Sequence, residues 1–229
     1  MNFAEIANLV REAVAAMDIN NSNKLKKIVC YGDSNTFGFN PADFSRYDES
    51  IRWTCVLKKN LVNIADVINE GACDRTGFVD NPKDFLYSAQ KHFPKMLSET
   101  KNIDILILWI GTNDLQFQYD ISFKTVENGL ENLIRLAKEK SKQIIIIPPV
   151  ILNEKILDGY FNYQFDETSI CKSKKIGEIF KNLAEINHCE YLDINKTAKT
   201  SNIDGLHYDE KAHKLIGEKI SDYIKFILK

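Results

Sequence analysis

The sequence predicts an α/β fold, a three-layer sandwich built on a doubly wound parallel sheet of about five strands. Three observations predict it. The segments Ile103–Ile110 (IDILILWI) and Ile144–Ile147 are apolar at nearly every position, as parallel strands buried on both faces are. Short apolar runs alternate with amphipathic segments along the chain, the pattern of repeated strand–helix units. Polar clusters rich in Gly, Asp, Ser and Asn follow the apolar runs, and in a parallel sheet the strand carboxyl ends share one edge.

Taken in order, Phe3, Ile6, Ala7, Val10, Val14 and Met17 fall on one helical face, so residues 2–18 are expected to form an amphipathic helix. Asn20 to Lys26 is a polar linker. A strand is expected at 27–32, ending in the tight turn Gly32-Asp33-Ser34. Residues 35–50 form a loop rich in polar and aromatic residues. Trp53, Val56, Leu57 and Leu61 mark a helix over about 51–62. A short strand at 65–69 ends at Glu70-Gly71. A helix is expected over 83–98, with Pro94 kinking or ending it.

The IDILILWI strand ends at Gly111-Thr112-Asn113-Asp114, and Val126, Leu130, Leu133, Ile134 and Ala137 mark the next helix. Four consecutive isoleucines, Ile144 to Ile147, are too β-branched for a helix, and Pro148-Pro149 ends them. An aromatic loop at 151–166 leads to a helix at about 167–187 and a short strand at 191–193. The last helix, 209–228, places Leu215, Ile216, Ile220, Tyr223, Ile224 and Ile227 on one face.

Composition bounds the function. A chain of 229 residues, 44% hydrophobic and 27% charged, suits one domain over 1–229 with the 2–18 helix as an addition. Thirty basic and 32 acidic residues give a net charge of −2, so no nucleic-acid partner is expected. No apolar run approaches the roughly 20 residues that span a bilayer, so no membrane partner is expected. The first 17 residues carry Glu5, Arg11 and Glu12, unlike the apolar core of a signal peptide, and a cytoplasmic location is expected. Cys30, Cys55, Cys73, Cys171 and Cys189 are odd in number, widely spaced and without a CxxC pair. Free thiols are expected, with no metal and no cofactor.

Chemistry enters at the clusters Gly32-Asp33-Ser34, Gly71, Gly111-Thr112-Asn113-Asp114 and Asp204-Gly205-Leu206-His207. Serine is a weak nucleophile until a base takes its proton, which His207 can do; read alone, His207 is equally a surface histidine near a helix start. Histidine suits the task because its ordinary pKa of about 6.5 lies near neutrality. Asp204, three residues earlier, can accept from the imidazole and fix its tautomer. Acyl transfer also needs donors for the developing oxyanion. The backbone N–H of Ser34, the backbone N–H of Gly71 and the side-chain amide of Asn113 are the candidates. Asp33 and Asp114 read as turn residues. Arg75 reads either as an anion-binding residue or as a surface ion pair. Tyr160, Phe161, Tyr163 and Phe165 are candidate substrate-binding residues, lying past the carboxyl end of the four-isoleucine strand.

These four clusters, in this order, resemble the Ser, Gly, Asn and His blocks of the SGNH hydrolases in the GDSL esterase/lipase superfamily. Arg52-Trp53, Asn69-Glu70-Gly71 with Arg75-Thr76, and DGLHYDEKAH resemble its arylesterase/acyltransferase branch more narrowly. The resemblance runs from about residue 27 to the last residue and departs in the loop after Pro149. It implies an SGNH/flavodoxin-like sheet and a serine ester hydrolase working on a small-molecule acyl ester through an acyl-serine. Acetylated sugars, lysolipids and thioesters are alternative substrates. A non-catalytic small-anion or carbohydrate-binding module on the same fold is the competing class, although neither a GxGxxG nor a P-loop pattern occurs. A homo-oligomer is left open.

Overall fold

A computed structural model describes Ile6, residues 25–81 and residues 85–229. Apart from Ile6, the expected helix at 2–18 lies outside the described residues. Five strands form one sheet: β1 (Lys26–Gly32), β2 (Ala65–Gly71), β3 (Ile103–Trp109), β4 (Ser141–Ile147) and β5 (Glu190–Tyr191). Their order is β2-β1-β3-β4-β5 and every pairing is parallel. The chain winds outward from β1 in both directions, so the crevice between β1 and β3 is the switch point where such sheets bind ligands.

Among the described residues six helices flank the sheet: α1 (Ser34–Phe37), α2 (Trp53–Asn60), α3 (Ala89–Glu99), α4 (Phe123–Lys138), α5 (Glu167–Ile186) and α6 (Glu210–Ile227). Helix α2 packs on α6, while α4 packs on both α3 and α5. The central strands are dry on both faces: Ile28 to Tyr31, Ile105 to Ile110 and Ile145 to Ile147 are buried throughout. Sequence periodicity matches this layer by layer, because the buried stripe of α4 is the set Val126, Leu130, Leu133, Ile134 and Ala137.

Helix starts follow local capping chemistry. Ser122 accepts from the Thr125 N–H at the start of α4, and Asp166 with Ser169 forms a reciprocal capping box on α5. Asp209 caps α6 by accepting from the Ala212 N–H. Two elements differ from expectation. Helix α3 begins at Ala89, after a 3-10 turn at Phe85–Tyr87, rather than at 83. Pro94 lies inside α3 without ending it, and Phe93, Met96 and Leu97 around it are buried, so tertiary packing overrides the local penalty. The loop 151–166 holds a 3-10 turn at Glu154–Leu157.

Candidate active site

Strand β1 delivers Gly32-Asp33-Ser34 to the carboxyl edge of the sheet. Asp33 is extended, and its Oδ1 accepts from the Asn35 N–H at 3.0 Å, which caps α1. Burial raises the Asp33 carboxyl, and the Asn35 N–H works against that rise. Ser34 becomes the first helical residue, where backbone N–H groups have no intrahelical partner. It is 7% exposed.

The second cluster arrives from the loop before α6. Gly205 has φ +74°, and a Cβ there would sit 2.9 Å from the Asn153 carbonyl, so both conformation and space demand glycine. The turn lets Asp204 Oδ1 accept the N–H groups of Leu206 and His207, both at 2.9 Å. Asp204 Oδ2 lies 2.6 Å from His207 Nδ1, and His207 Nε2 lies 2.8 Å from Ser34 Oγ. All three residues are buried. Burial acts to raise the Asp204 carboxyl, but the hydrogen bond and charge of His207 and the two backbone donors outweigh it, and the net direction is down. An ionised Asp204 holds the proton on Nδ1, which leaves Nε2 to accept from the Ser34 hydroxyl.

Asn35, which no sequence motif marks, ties the two clusters together. Its amide donates to the Leu206 carbonyl at 3.4 Å, and its Oδ1 accepts from the Tyr208 N–H at 3.3 Å. Those two contacts bracket His207. Asn153 anchors the same loop from outside, donating from Nδ2 to the Thr200 and Ser201 carbonyls at 3.2 and 3.0 Å. An asparagine among polar loop residues carries no periodic signal, so neither role was visible in the sequence.

The oxyanion candidates fare differently. The Gly71 N–H is committed to Asn69 Oδ1 at 2.9 Å, so its assignment as a donor toward Ser34 is corrected. Gly71 is required instead for close approach: a Cβ would strike the backbone of Thr36 and Phe37 in α1. Asn113, at the start of a 3-10 turn after β3, donates one amide hydrogen to the Arg75 carbonyl at 3.0 Å. Its second amide hydrogen is not used in that bond. The Asn113 contact places Arg75, four residues beyond Gly71, beside the site.

Two charged residues also differ from expectation. Asp114 is not a turn cap. Its carboxylate accepts the N–H groups of Gly77, Phe78 and Val79 at 2.6–2.9 Å, and burial pushes it up to about 6 against those donors. Arg75 is neither an exposed ion pair nor an anion site. It is buried, donates to the Gly32 carbonyl at 3.0 Å and to the Glu70 carbonyl, and lies over the Tyr31 ring.

Of the four loop aromatics, Phe161 reaches the site, with its ring 5.4 Å from His207. Tyr160 and Tyr163 are 63% and 58% exposed and pack on one another, and Tyr160 also packs on Phe161. Phe165 is 1% exposed in the core, which corrects its assignment to a substrate wall. The aromatic closest to His207 is Phe39, at 4.3 Å between ring centroids, from the loop after α1. A groove of about 610 Å³ lies elsewhere, lined by residues such as Ile151, Glu154, Lys155, Asp158 and Lys174; Ser34 and His207 do not line it. All five cysteines are free, and burial raises the Cys73 thiol to about 11, which disfavours a thiolate nucleophile. Among the described residues no cluster of metal-ligating side chains occurs, and no helix is long and apolar enough to cross a membrane.

Residues 30–215 match the model of the GDSL-like lipase/acylhydrolase family. No curated protein matches the chain. Solved structures do. A carbohydrate acetylesterase family member from Sinorhizobium meliloti superposes with a TM-score of 0.81 at 26% identity, covering 89% of this chain and 99% of that one. The M. smegmatis aryl esterase, in its inhibitor-bound form, gives 0.82 at 23% identity over 87% and 98%. A putative arylesterase from Agrobacterium tumefaciens gives 0.77 at 24% over 89% and 100%. The last two matches, under a quarter identical, are likenesses of fold.

Proposed function

The chain belongs to the GDSL-like lipase/acylhydrolase family and is a carboxylic ester hydrolase; from that premise we propose that it works through an acyl-enzyme on Ser34, with His207 as base and Asp204 as its orienting partner. The observation that carries this reading is the unbroken relay of 2.6 Å from Asp204 to His207 and 2.8 Å from His207 to Ser34. Ser34 Oγ attacks the ester carbonyl while His207 Nε2 takes its proton. The charge that develops on the carbonyl oxygen meets the Ser34 N–H, at the start of α1, and the second amide hydrogen of Asn113. Asn113 is pre-aligned for this by its bond to the Arg75 carbonyl. Collapse of the tetrahedral adduct breaks the ester C–O bond, and His207 returns its proton to the leaving alkoxide. Water then repeats the sequence on the acyl-serine and frees the acid.

Asp33 takes no part in proton transfer. Its Oδ1 caps α1 through the Asn35 N–H, and the carboxylate bonded to His207 Nδ1 is that of Asp204. The test is turnover of p-nitrophenyl acetate by wild type, Ser34→Ala and Asn113→Ala. Ser34→Ala is expected to abolish it. Asn113→Ala is expected to lower kcat about a hundredfold with little change in KM, because that donor acts in the transition state. Undiminished turnover by Ser34→Ala would overturn the reading.

A further inference from the structure

The aromatic residues beside the relay are not spread evenly around it. Phe39 and Phe161 both lie against the His207 ring, with centroids 4.3 and 5.4 Å away, and they come from loops more than a hundred residues apart. They continue outward into a second tier. Phe44 lies 5.9 Å from Phe39 and 4.8 Å from Tyr160, and Tyr160 lies 5.2 Å from Phe161. Phe44 and Tyr160 are 52% and 63% exposed, so a continuous rim of ring surface runs from His207 to solvent.

The side of the site on which this rim stands has a chemical meaning. In ester cleavage the histidine gives its proton to the oxygen of the departing alcohol, so that oxygen must lie within hydrogen-bond reach of His207 Nε2. The alcohol's substituent therefore extends over the His207 face. The acyl group sits on the other side of the carbonyl carbon and extends away from that face. A rim packed on His207 contacts the alcohol, not the acyl chain.

The hairpin carrying Phe44 is held in an unfavourable shape. Phe44 has φ +63°, a conformation that bulky residues rarely adopt. The Phe39–Arg46 bridge, the Asn40 N–H to the Ser45 carbonyl at 2.9 Å and the Phe44 N–H to the Asn40 carbonyl at 3.0 Å fix it there. The result presents an exposed aromatic ring opposite Tyr160. Aromatic faces bind the flat or C–H-lined faces of other rings better than they bind flexible chains, because stacking adds to plain burial and a rigid partner loses little entropy.

We propose that Phe39, Phe44, Tyr160 and Phe161 form a leaving-group subsite that selects esters of ring-bearing alcohols, aryl-methyl or sugar, and leaves acyl length to the opposite side. The proposal rests on the reading of Ser34 and His207 given above. Loop 151–166 is then an alcohol-side element rather than a wall of the acyl pocket.

The experiment measures kcat/KM for benzyl acetate, 6-O-acetyl methyl glucoside and propyl acetate, whose alcohols are similar leaving groups. It also measures p-nitrophenyl acetate against p-nitrophenyl hexanoate. In the double variant Phe44→Ala, Tyr160→Ala the preference for at least one ring ester over propyl acetate is expected to fall about tenfold. The hexanoate-to-acetate ratio is expected to hold within about twofold, and whichever ring ester loses more identifies the ring class. A shift in the acyl ratio with no shift in the alcohol ratio overturns the proposal, and so does no shift in either. The pair Phe44→Leu, Tyr160→Leu keeps bulk without a ring face and reads the same ratios if the alanine variant is poorly folded. Ser34→Ala runs in parallel: turnover of these esters by that variant defeats the underlying reading, whereas an inactive Ser34→Ala with unmoved ratios defeats the subsite alone.

Discussion

Replacing Asn153 with alanine removes four contacts in one step. Nδ2 loses the Thr200 carbonyl, the Thr200 hydroxyl and the Ser201 carbonyl, at 3.0–3.2 Å, and Oδ1 loses the Lys155 N–H at 2.9 Å. The two hydrogens of Nδ2 serve the carbonyls of the buried residues Thr200 and Ser201, and these two carbonyls lose a donor that water replaces poorly, at about 1 kcal/mol each. Loss of the side-chain cap on the 3-10 turn adds about 1 kcal/mol. The sum is about 3 kcal/mol, which in a domain of this size lowers Tm by about 6–12 °C. Catalysis should suffer separately, because the loop that Asn153 tethers carries Asp204 and His207. A small displacement of His207 from Ser34 lowers kcat, by about tenfold, with KM little changed. Asn153→Asp isolates the donor: it keeps an acceptor for the Lys155 N–H but turns a second oxygen toward two carbonyls, so it should be no better than alanine. Urea unfolding and p-nitrophenyl acetate kinetics on the two variants provide the assay. Wild-type stability and kcat in Asn153→Asp would refute the argument that donation from Nδ2 holds this loop.

Phe165→Ala should cost about 3–5 kcal/mol in urea unfolding because the ring is buried in the core, and it should leave ester preference where it was. A changed preference without lost stability would restore Phe165 to the substrate wall. The Asp204 carboxyl is held below its ordinary value, so the stability it contributes is present above about pH 4 and is lost as pH falls through the depressed folded value. Asp204→Asn should therefore flatten the acid limb of stability measured from about pH 5 downward, and an unchanged limb would contradict the shift.

The sheet was legible because its central strands are apolar on both faces, and nothing but a layer of helices on each side can bury such strands. Ser34 follows the end of β1, whereas Asp204 and His207 lie in the loop before α6, so their grouping was legible through the order of the motifs and their resemblance to the SGNH blocks rather than through strand ends alone. What escaped the sequence reading lay in long-range or short polar contacts. Asn69 sits two residues before Gly71 and takes its N–H, a local competition that residue order does not reveal. Asp114 finds its three N–H partners more than thirty residues away. Counting aromatics in loop 151–166 did not say which ones turn inward: Phe165 packs in the core, and Phe39, from another loop, takes the place beside His207. Helix α3 starts late because residues before Ala89 form a 3-10 turn and the bridge between Thr76 and Ser88.

The account turns on Ser34 being an activated nucleophile, and covalent capture tests that most directly. Wild-type protein treated with an aryl organophosphonate should gain the mass of one phosphonyl group, mapped to the peptide containing Ser34. Ser34→Ala should gain none, and His207→Ala should label far more slowly, since the base that activates Ser34 is gone. Label on Cys73 or on any other residue of the wild type, or undiminished labelling of Ser34→Ala, would contradict the account.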